Sequence, residues 1–484
     1  IRIGSASKPL KFFGEFSMRR LPMLALLALG GCKARTLPDV PEAAHHVSPV
    51  LAETGAASST PSAVPAPSAP PLQTCAPFPE GAFALPPLDE SVIDTQLPAI
   101  EFPDRLAHFY ARAAEVARGT AKHSVRIAVY GDSNMTMDYI TGGLRRMLQG
   151  KYGDAGHGFA GMTRPWGWYR HMDVRHELWE GAWKPLAVST HRTNDGHYSS
   201  ANLGSETDHP GAWAFVATTD SPDSPIGHSV SSIDLFYLAR PSGGTFAVKL
   251  DGTVQETVDT KADKAETRFR HYDVPDGSHK IEVALRSGKI RVYGASMERD
   301  KPGYVVDSLG VGALNYEMMT HVSSASRKPM LERRNYDLVV FAIGTNMFSP
   351  KDHESWMKDV FAGIREALPD TPLLVLSPPD IELKWEDKWS DPRIPKLVQQ
   401  LREISDRNGA AYFDFREAMG GSLSMHKLAK AGLAEADLIH FRKPAGMLMG
   451  TRLGHALWND LEAYTKAHPD AGCSPRAAAR PVAH

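Results

Sequence analysis

The sequence predicts an α/β fold with a parallel sheet, interrupted by an antiparallel β-sandwich, and two strand patterns indicate it. Continuous apolar runs, such as 125–130 and 337–343, are typical of strands buried on both faces of a parallel sheet. About 140 residues between these runs carry shorter strand patterns punctuated by turn signals, which favour antiparallel sheets. A chain of 484 residues is long enough for two folded units with accessory segments.

The overall charge excludes one class of function. The chain has 54 Lys and Arg against 56 Asp and Glu, a formal net charge of −2. Nucleic acid is therefore not expected as a partner, because binding to phosphates depends on a positive field. The sequence also contains no apolar run of roughly twenty residues, so no permanent membrane-spanning helix is expected.

The N-terminal segment has the pattern of an export signal. Met18 is followed by two arginines, an apolar stretch over 21–29 and two glycines before Cys32. The last four residues of this pattern resemble a bacterial lipobox, in which the cysteine is lipidated. We expect upstream residues over 1–17, a lipoprotein signal ending at Cys32, and an extracytoplasmic protein anchored to the periplasmic or cell-surface face of a membrane. The alternative is an ordinary signal on a secreted protein.

The segment that follows is predicted to be a spacer, with a cysteine near its end. Residues 33–95 are rich in Pro, Ala and Ser and lack apolar periodicity, so most of this segment should stay extended. Cys75 and Cys473 bracket the remaining sequence, and in an oxidising compartment they could form a disulfide joining its two ends. Two unrelated thiols are the alternative.

A serine lies at the end of the first predicted strand. The strand over 125–130 stops at Gly131, and the sequence continues with Asp132, Ser133 and a helix-like segment. Open α/β sheets place their ligands at this kind of junction, where a serine hydroxyl can also be presented outward. Taken alone, Ser133 could equally cap the following helix.

A serine nucleophile needs a base, and the base needs a group that orients it. Asp437 and His440 are three residues apart, so the carboxylate can approach the imidazole within one turn. They lie in a loop after the last predicted strand, before Pro444 and another helix-like segment. Such pairs are also common as surface ion pairs, and Asp414, at the end of the last strand, is a rival for the acidic role.

Two further strand ends offer donors for an oxyanion. The run over 337–343 ends in Gly344, Thr345 and Asn346, whose side-chain amide could point toward Ser133. A glycine block after the strand near 305–309 includes Gly310 and Gly312, either of which could expose a backbone amide. The first of these motifs could also be a simple turn.

Together these four blocks, in this order, resemble the SGNH (GDSL-type) hydrolase superfamily. The resemblance implies a flavodoxin-like three-layer α/β sandwich with Ser133 as nucleophile, His440 as base and Asp437 as the orienting acid. It also implies an oxyanion hole formed by the amides of Ser133 and Gly312 and the side chain of Asn346. The sequence departs from the family pattern in two places. The block from Gly310 to Ala313 lacks the Asn that often precedes its second glycine, which leaves Gly310 a rival for the oxyanion role, and Arg442 stands where relatives often carry Ser or Thr.

The intervening segment is predicted to be an inserted domain over 161–299, between hydrolase parts at 96–160 and 300–466, with a C-terminal tail at 467–484. Asp251 and Asp276, each followed by glycine, mark turns between short strands. A sandwich inserted here resembles the carbohydrate-binding-like modules of bacterial peptidoglycan O-acetylesterases. The segment before the strands is dense in aromatic residues that could stack on sugars or fill a core: Trp166, Trp168, Tyr169, Trp179 and Trp183.

Two other patterns have less specific explanations. The stretch 156–161 matches the dinucleotide fingerprint, but the polar, glycine-broken sequence before it predicts no strand, so a flexible loop near the active site is expected. The 20 histidines do not form a recognisable zinc motif, and no metal is expected.

The resemblance and the residues predict a serine esterase that removes acyl groups, most simply O-acetyl, from a cell-envelope polysaccharide such as peptidoglycan, with no cofactor. An O-acetyltransferase using the same triad is an alternative, because both reactions share an acyl-enzyme and differ in the acceptor. A non-catalytic glycan-binding lipoprotein is the second alternative.

Overall fold

The structure is a computed structural model that describes residues 76–89, 91–347, 352–382 and 392–473. The expected signal, the lipidation site Cys32 and most of the tether, including Cys75, lie outside these residues. In the described part of the chain, no helix is long and apolar enough to cross a bilayer.

The hydrolase part contains five parallel strands in one sheet. In chain order, numbered together with the strands of the insert described next, they are β1 (Val125–Gly131), β13 (Tyr304–Gly310), β14 (Leu338–Ala342), β15 (Leu373–Leu376) and β16 (Ala411–Phe413). Their order in the sheet is β13-β1-β14-β15-β16, and every neighbouring pair is parallel. Counted from the first strand, this is the 2-1-3-4-5 order of flavodoxin-like sheets, so the predicted fold class is confirmed.

The strands between β1 and β13 form two antiparallel sheets. They are β2 (Gly156–Gly161), β3 (Val174–Leu178), β4 (Lys184–Ala187), β5 (Leu203–Thr207), β6 (Trp213–Thr218), β7 (Val230–Ala239), β8 (Thr245–Leu250), β9 (Thr253–Asp259), β10 (Glu266–Gly277), β11 (Lys280–Ser287) and β12 (Ile290–Glu298). One sheet has the order β10-β7-β12-β5-β4, with β2 also paired to β12, and the other has the order β3-β6-β11-β8-β9. Apolar residues from the facing sides fill the space between them, so the insert is the antiparallel sandwich that was predicted.

Nine helices occur in the described ranges. They are α1 (Ala107–Arg118), α2 (Tyr139–Tyr152), α3 (Tyr316–Thr320), α4 (Ser324–Arg334), α5 (His353–Ala367), α6 (Arg393–Arg407), α7 (Phe415–Ala418), α8 (Ser424–Lys430) and α9 (Lys443–Ala467). Alternate residues of β1 face opposite layers: Ile127 and Val129 belong to the core with α1, α2 and α9, whereas Ala128 and Tyr130 belong to the core with α4, α5 and α6. This double burial explains why the strand is a continuous apolar run.

Two sequence expectations differ from the structure. The stretch 156–161 is not a loop: it is the buried strand β2, paired with β12 through partners that include Gly161 with Gly294. The Phe159 amide donates to the Asp307 carboxylate at 2.9 Å and its side chain is buried in the core, so the glycines allow close packing and not flexibility. Sheet pairing of β2 also means that the sandwich begins before residue 161.

The end of the expected tether is packed against the hydrolase part. Ile93 is 3% exposed, Phe78 and Phe83 lie against the core, and the Arg118 guanidinium lies over the Phe78 ring. The segment therefore cannot extend freely as far as residue 95. Scattered aromatic residues without periodicity gave no sequence signal for this docking.

Candidate active site

Ser133 lies directly beyond the carboxyl end of β1. It begins a short 3-10 turn, Ser133–Met135, in which the Asp132 side chain accepts a hydrogen bond from the Asn134 amide. Asp132, and not Ser133, is thus the capping residue of this turn. A Cβ on Gly131 would overlap the Met135 side chain, so the tight reversal requires a glycine at this position.

His440 and Asp437 lie beside Ser133, although 307 residues separate the serine from the histidine. The His440 Nε2 atom is 2.8 Å from the Ser133 Oγ atom, and the His440 Nδ1 atom is 2.7 Å from the Asp437 Oδ2 atom. Three groups in this order can pass a proton from the hydroxyl to the imidazole while the carboxylate stabilises the imidazolium.

The Asp437 carboxylate is held in its ionised form. Burial opposes ionisation, but hydrogen bonds from the His440 ring and from the Ile439 and His440 amides outweigh it and lower the pKa of Asp437. Its Oδ1 atom accepts from those two amides at 2.9 and 3.1 Å, which leaves Oδ2 for the imidazole. The rival Asp414 instead accepts a hydrogen bond from the Glu417 amide and caps α7.

Asp132 connects the serine turn to the turn that contains Asn346. Its Oδ2 atom accepts from the amides of Gly344 and Thr345, at 3.3 and 3.0 Å. Burial raises the pKa of Asp132, although the amide donors oppose this effect. Asn346 follows Thr345 directly and is exposed, so its amide is accessible next to a turn that is fixed to the serine loop.

The two candidate glycines have different surroundings. Gly310 is the last residue of β13, and a Cβ there would overlap the backbone of Met135. The Val311 amide makes the last hydrogen bond at this edge, to the Gly131 carbonyl at 3.0 Å, so Gly312 lies beyond the sheet. A Cβ on Gly312 would be 3.8 Å from the Trp166 ring, and its carbonyl accepts from the Ser189 hydroxyl at 2.6 Å. Both glycines thus lie at the carboxyl end of β13, and the choice between their amides as the oxyanion donor stays a prediction.

Asn134 is a site residue that the sequence analysis missed. Its Nδ2 atom donates to the Ile439 carbonyl and its Oδ1 atom accepts from the Phe441 amide, both at 3.2 Å. The carboxamide therefore holds the residues on either side of His440. The available signal was its position next to Ser133, but its partners are backbone atoms about 305 residues away, which no local pattern reveals.

A buried cluster near α2 has the chemistry of a cation site. Asp138, His157 and His171 each offer a ligand atom, and these atoms lie within 4.8 Å of one another. Asp138 is already paired with Arg145 at 2.8 Å, and the His157 Nε2 and His171 Nδ1 atoms are 3.1 Å apart, within hydrogen-bond distance. Burial lowers the pKa of both histidines, for His171 to about 3. The cluster is thus largely satisfied without an ion, and the expectation of no metal stays a prediction.

The remaining predicted residues are divided between core and surface. Tyr169 and Trp183 are buried, and the Trp183 indole donates to the Trp213 carbonyl at 3.0 Å. Trp168 and Trp179 are 57% and 41% exposed. Cys473 is disulfide-bonded, but its pairing with Cys75 stays a prediction because Cys75 lies outside the described residues.

Comparison with solved structures supports, at the level of the fold, the predicted resemblance to SGNH (GDSL-type) hydrolases. A peptidoglycan O-acetylesterase superposes with a TM-score of 0.61 at 20% identity, covering 74% of this chain and 96% of that chain. Two carbohydrate esterases of family 2 are more distant. The enzyme from Corynascus thermopiles (Myceliophthora fergusii) has 12% identity, a TM-score of 0.27, and coverage of 58% of this chain and 99% of its own. The enzyme from Clostridium thermocellum, in complex with cellohexaose, has 12% identity, a TM-score of 0.22 and the same two coverages.

Comparison at the sequence level found no relative. No protein-family model matches the chain, and no curated protein matches it. The assignment to this class of fold therefore depends on the backbone.

Proposed function

We propose that the chain is a serine esterase that removes O-acetyl groups from a cell-envelope polysaccharide such as peptidoglycan. The observation that carries the proposal is the hydrogen-bonded series from Ser133 through His440 to Asp437 at the carboxyl edge of a parallel sheet. Similarity in fold to a peptidoglycan O-acetylesterase supports the choice of substrate. The lipid anchor predicted at Cys32 would hold such an enzyme next to its polymer.

The first half of the proposed reaction transfers the acetyl group to the enzyme. His440 Nε2 accepts the Ser133 proton while Ser133 Oγ attacks the ester carbonyl, and Asp437 stabilises the resulting imidazolium. The amides of Ser133 and Gly312 and the Asn346 side chain are the proposed donors to the oxyanion. The imidazolium then protonates the departing sugar oxygen, which leaves an acetyl-serine.

The second half releases acetate. A water molecule gives a proton to His440 and attacks the acetyl carbonyl, and the same donors stabilise the second oxyanion. Return of the proton to Ser133 Oγ expels acetate and restores the starting state. All proton transfers in this scheme use side chains of the chain itself.

Ser133→Ala tests the proposal. We expect kcat/KM for a chromogenic acetyl ester to fall by at least about 1,000-fold, because the nucleophile is absent. Release of acetate from O-acetylated peptidoglycan should fall in parallel. Ser355→Ala, which removes an exposed hydroxyl on α5, is the matched control and should keep the parent activity. Activity of Ser133→Ala within a few-fold of the parent would refute the assignment.

A further inference from the structure

The turn that follows β13 is held from outside by a residue of the inserted sandwich. The Ser189 hydroxyl donates to the Gly312 carbonyl at 2.6 Å, although 123 residues separate the two in the chain. Ser189 lies just beyond the end of β4, whereas Gly312 belongs to the hydrolase part and follows a strand that pairs with β1. The hydrogen bond therefore connects the insert to the edge of the sheet that carries Ser133.

The turn that contains Gly312 has a conformation that its own sequence does not favour. The Leu314 amide donates to the Val311 carbonyl at 3.2 Å and closes the turn, with Gly312 and Ala313 at its centre. Ala313 has a φ of 59°, in the left-handed region, which is unfavourable for a residue with a Cβ. Gly312 has the wide conformational range of a glycine. A turn with these two central residues needs contacts from elsewhere to keep one shape.

Ser189 is well placed to supply such a contact, because its own backbone is fixed. The Ala187 amide donates to the His191 carbonyl at 3.1 Å, and the His191 amide donates to the Ala187 carbonyl at 3.0 Å. These two bonds close the short turn that carries the serine, and Val188 within it is buried in the core. A short side chain on a closed turn has little freedom to lose, so its hydroxyl can hold the Gly312 carbonyl at little entropic cost.

A second residue of the insert contacts the same glycine. The Trp166 ring would be 3.8 Å from a Cβ on Gly312, and it packs edge-on against the buried Tyr169 ring, with centroids 5.6 Å apart. Gly312 is thus packed against Trp166 and bonded at its carbonyl by Ser189. In the described part of the chain, no group accepts a hydrogen bond from the Gly312 amide, as a donor to a substrate oxygen requires.

We propose that Ser189 is a positioning residue for the esterase, which fixes the Gly312 amide toward the oxyanion by holding the Gly312 carbonyl. The inference rests on the proposed function and on Gly312 as an oxyanion donor. Preorganised donors stabilise the oxyanion because they need not reorient as the charge develops. Loss of the Ser189 hydroxyl leaves the glycine free to rotate, which weakens the donor in the transition state and leaves binding of the neutral ester unchanged.

Ser189→Ala tests the positioning role with a soluble acetyl ester. We expect kcat to fall about tenfold with KM within about twofold of the parent, a smaller loss than the roughly 100-fold or more that follows removal of an oxyanion donor itself. Affinity for methylboronic acid should fall by a similar factor, because its tetrahedral adduct with Ser133 places an oxygen where the oxyanion forms. Ser189→Thr keeps a hydroxyl and should retain most of the parent kcat.

Thr190→Ala is the matched control. It removes the next hydroxyl of the same turn, which lies 3.0 Å from the His191 Nδ1 atom, and should leave kcat and affinity for methylboronic acid unchanged. Neither residue is buried, so both alanine variants should keep the parent Tm.

Two results would overturn the positioning role of Ser189. One is a kcat for Ser189→Ala within about twofold of that for Thr190→Ala. The other is a fall in kcat without a fall in affinity for methylboronic acid. Either result would leave the esterase proposal intact, because Ser133→Ala tests that proposal separately.

Discussion

Asn134 shows how a single side chain can link distant parts of the candidate site. Its carboxamide bonds the Ile439 carbonyl and the Phe441 amide, so the loop that carries His440 is fixed to the residue next to Ser133. The 2.8 Å contact between Ser133 Oγ and His440 Nε2 therefore depends on the placement of this loop. Small displacements of a base relative to its nucleophile are costly in rate, so Asn134 should act as a positioning residue.

Asn134→Asp should lower kcat by about 10- to 100-fold with little change in KM. The substituted carboxylate can still accept from Phe441, but it places an oxygen against the Ile439 carbonyl where a donor was. Steady-state kinetics with an acetyl ester and a Tm measurement give the two readouts. Asn408→Ala is the control and should leave kcat unchanged. It also removes a carboxamide that donates to a backbone carbonyl, but this carbonyl belongs to Ile404 in α6. Unchanged kcat in Asn134→Asp would exclude the positioning role.

For single residues, the sequence predicts the candidate reacting side chains better than the side chains that position them. Ser133, Asp437 and His440 were candidates because nucleophile, acid and base types stood at strand ends and loops. Asn134 and Asp132 were not candidates, because each forms hydrogen bonds with backbone atoms of a remote loop. Any residue type in that loop would supply the same atoms. The sequence also left open the choice between Gly310 and Gly312, since it depends on the direction of each backbone amide and not on residue type.

At the scale of elements, α2 and α9 connect the two halves of the site. α2 begins shortly after the Ser133 turn, and α9 begins shortly after His440. Gly446, Gly450 and Gly454 recur every four residues along α9 and lie against α2. A Cβ on Gly450 would overlap the Ile140 carbonyl, so the backbones of the two helices approach closely at this point.

Gly450→Ala should therefore destabilise the fold by about 1–3 kcal/mol, because overlap with a backbone atom forces the helices apart. Alanine favours a helix by roughly 1 kcal/mol over glycine, and that gain is too small to compensate. Gly150→Ala is the matched control: it lies in α2 with no atom within 4 Å of the added Cβ, and should be neutral or stabilising. Urea unfolding of both variants measures the difference. Equal effects of the two substitutions would contradict the close-packing account.

The elements that sequence patterns predicted are those with strong periodicity. The apolar run over 337–343 became β14 (Leu338–Ala342), and the run over 125–130 became β1 (Val125–Gly131). β2 was missed because glycine-rich sequence has low strand propensity, and only the pairing with β12 and burial of Phe159 outweigh it. Tertiary contacts, and not local propensity, therefore determine that this segment forms a strand.

For the whole molecule, a buried network of charges joins the sandwich to the parallel sheet. Arg334, at the end of α4, pairs with Asp307 of β13 at 2.9 Å and also with Glu298 of β12. Glu298 in turn pairs with Arg126 of β1 at 2.8 Å. Burial opposes ionisation of Glu298, but Arg126 and Arg334 outweigh it and lower its pKa to about 2. The insert is therefore bonded ionically, as well as by apolar packing, to the sheet that carries Ser133.

Arg334→Met should destabilise the molecule by about 3–5 kcal/mol at neutral pH, because it removes the cation paired with the buried Asp307 and one of the two cations paired with Glu298. The folded-state pKa of Glu298 is below its ordinary value of 4.5, so its contribution is present above pH 4.5 and is lost as the pH falls toward 2. The difference in Tm between parent and variant should accordingly shrink in acid, because the parent loses the ion pairs that the variant already lacks.

Calorimetry at pH 7 and pH 3 measures both effects. Arg268→Met breaks an exposed pair with Glu266 at 2.8 Å and should change stability by less than about 1 kcal/mol at either pH. If the network couples the sandwich and the sheet, Arg334→Met should lower the Tm of a single unfolding transition and should not produce a second transition. The reason is that Glu298 and Asp307 belong to different sheets of one packed body. A variant that unfolds in two steps, with the Tm of the later step unchanged, would show instead that the parallel sheet is stable without this connection.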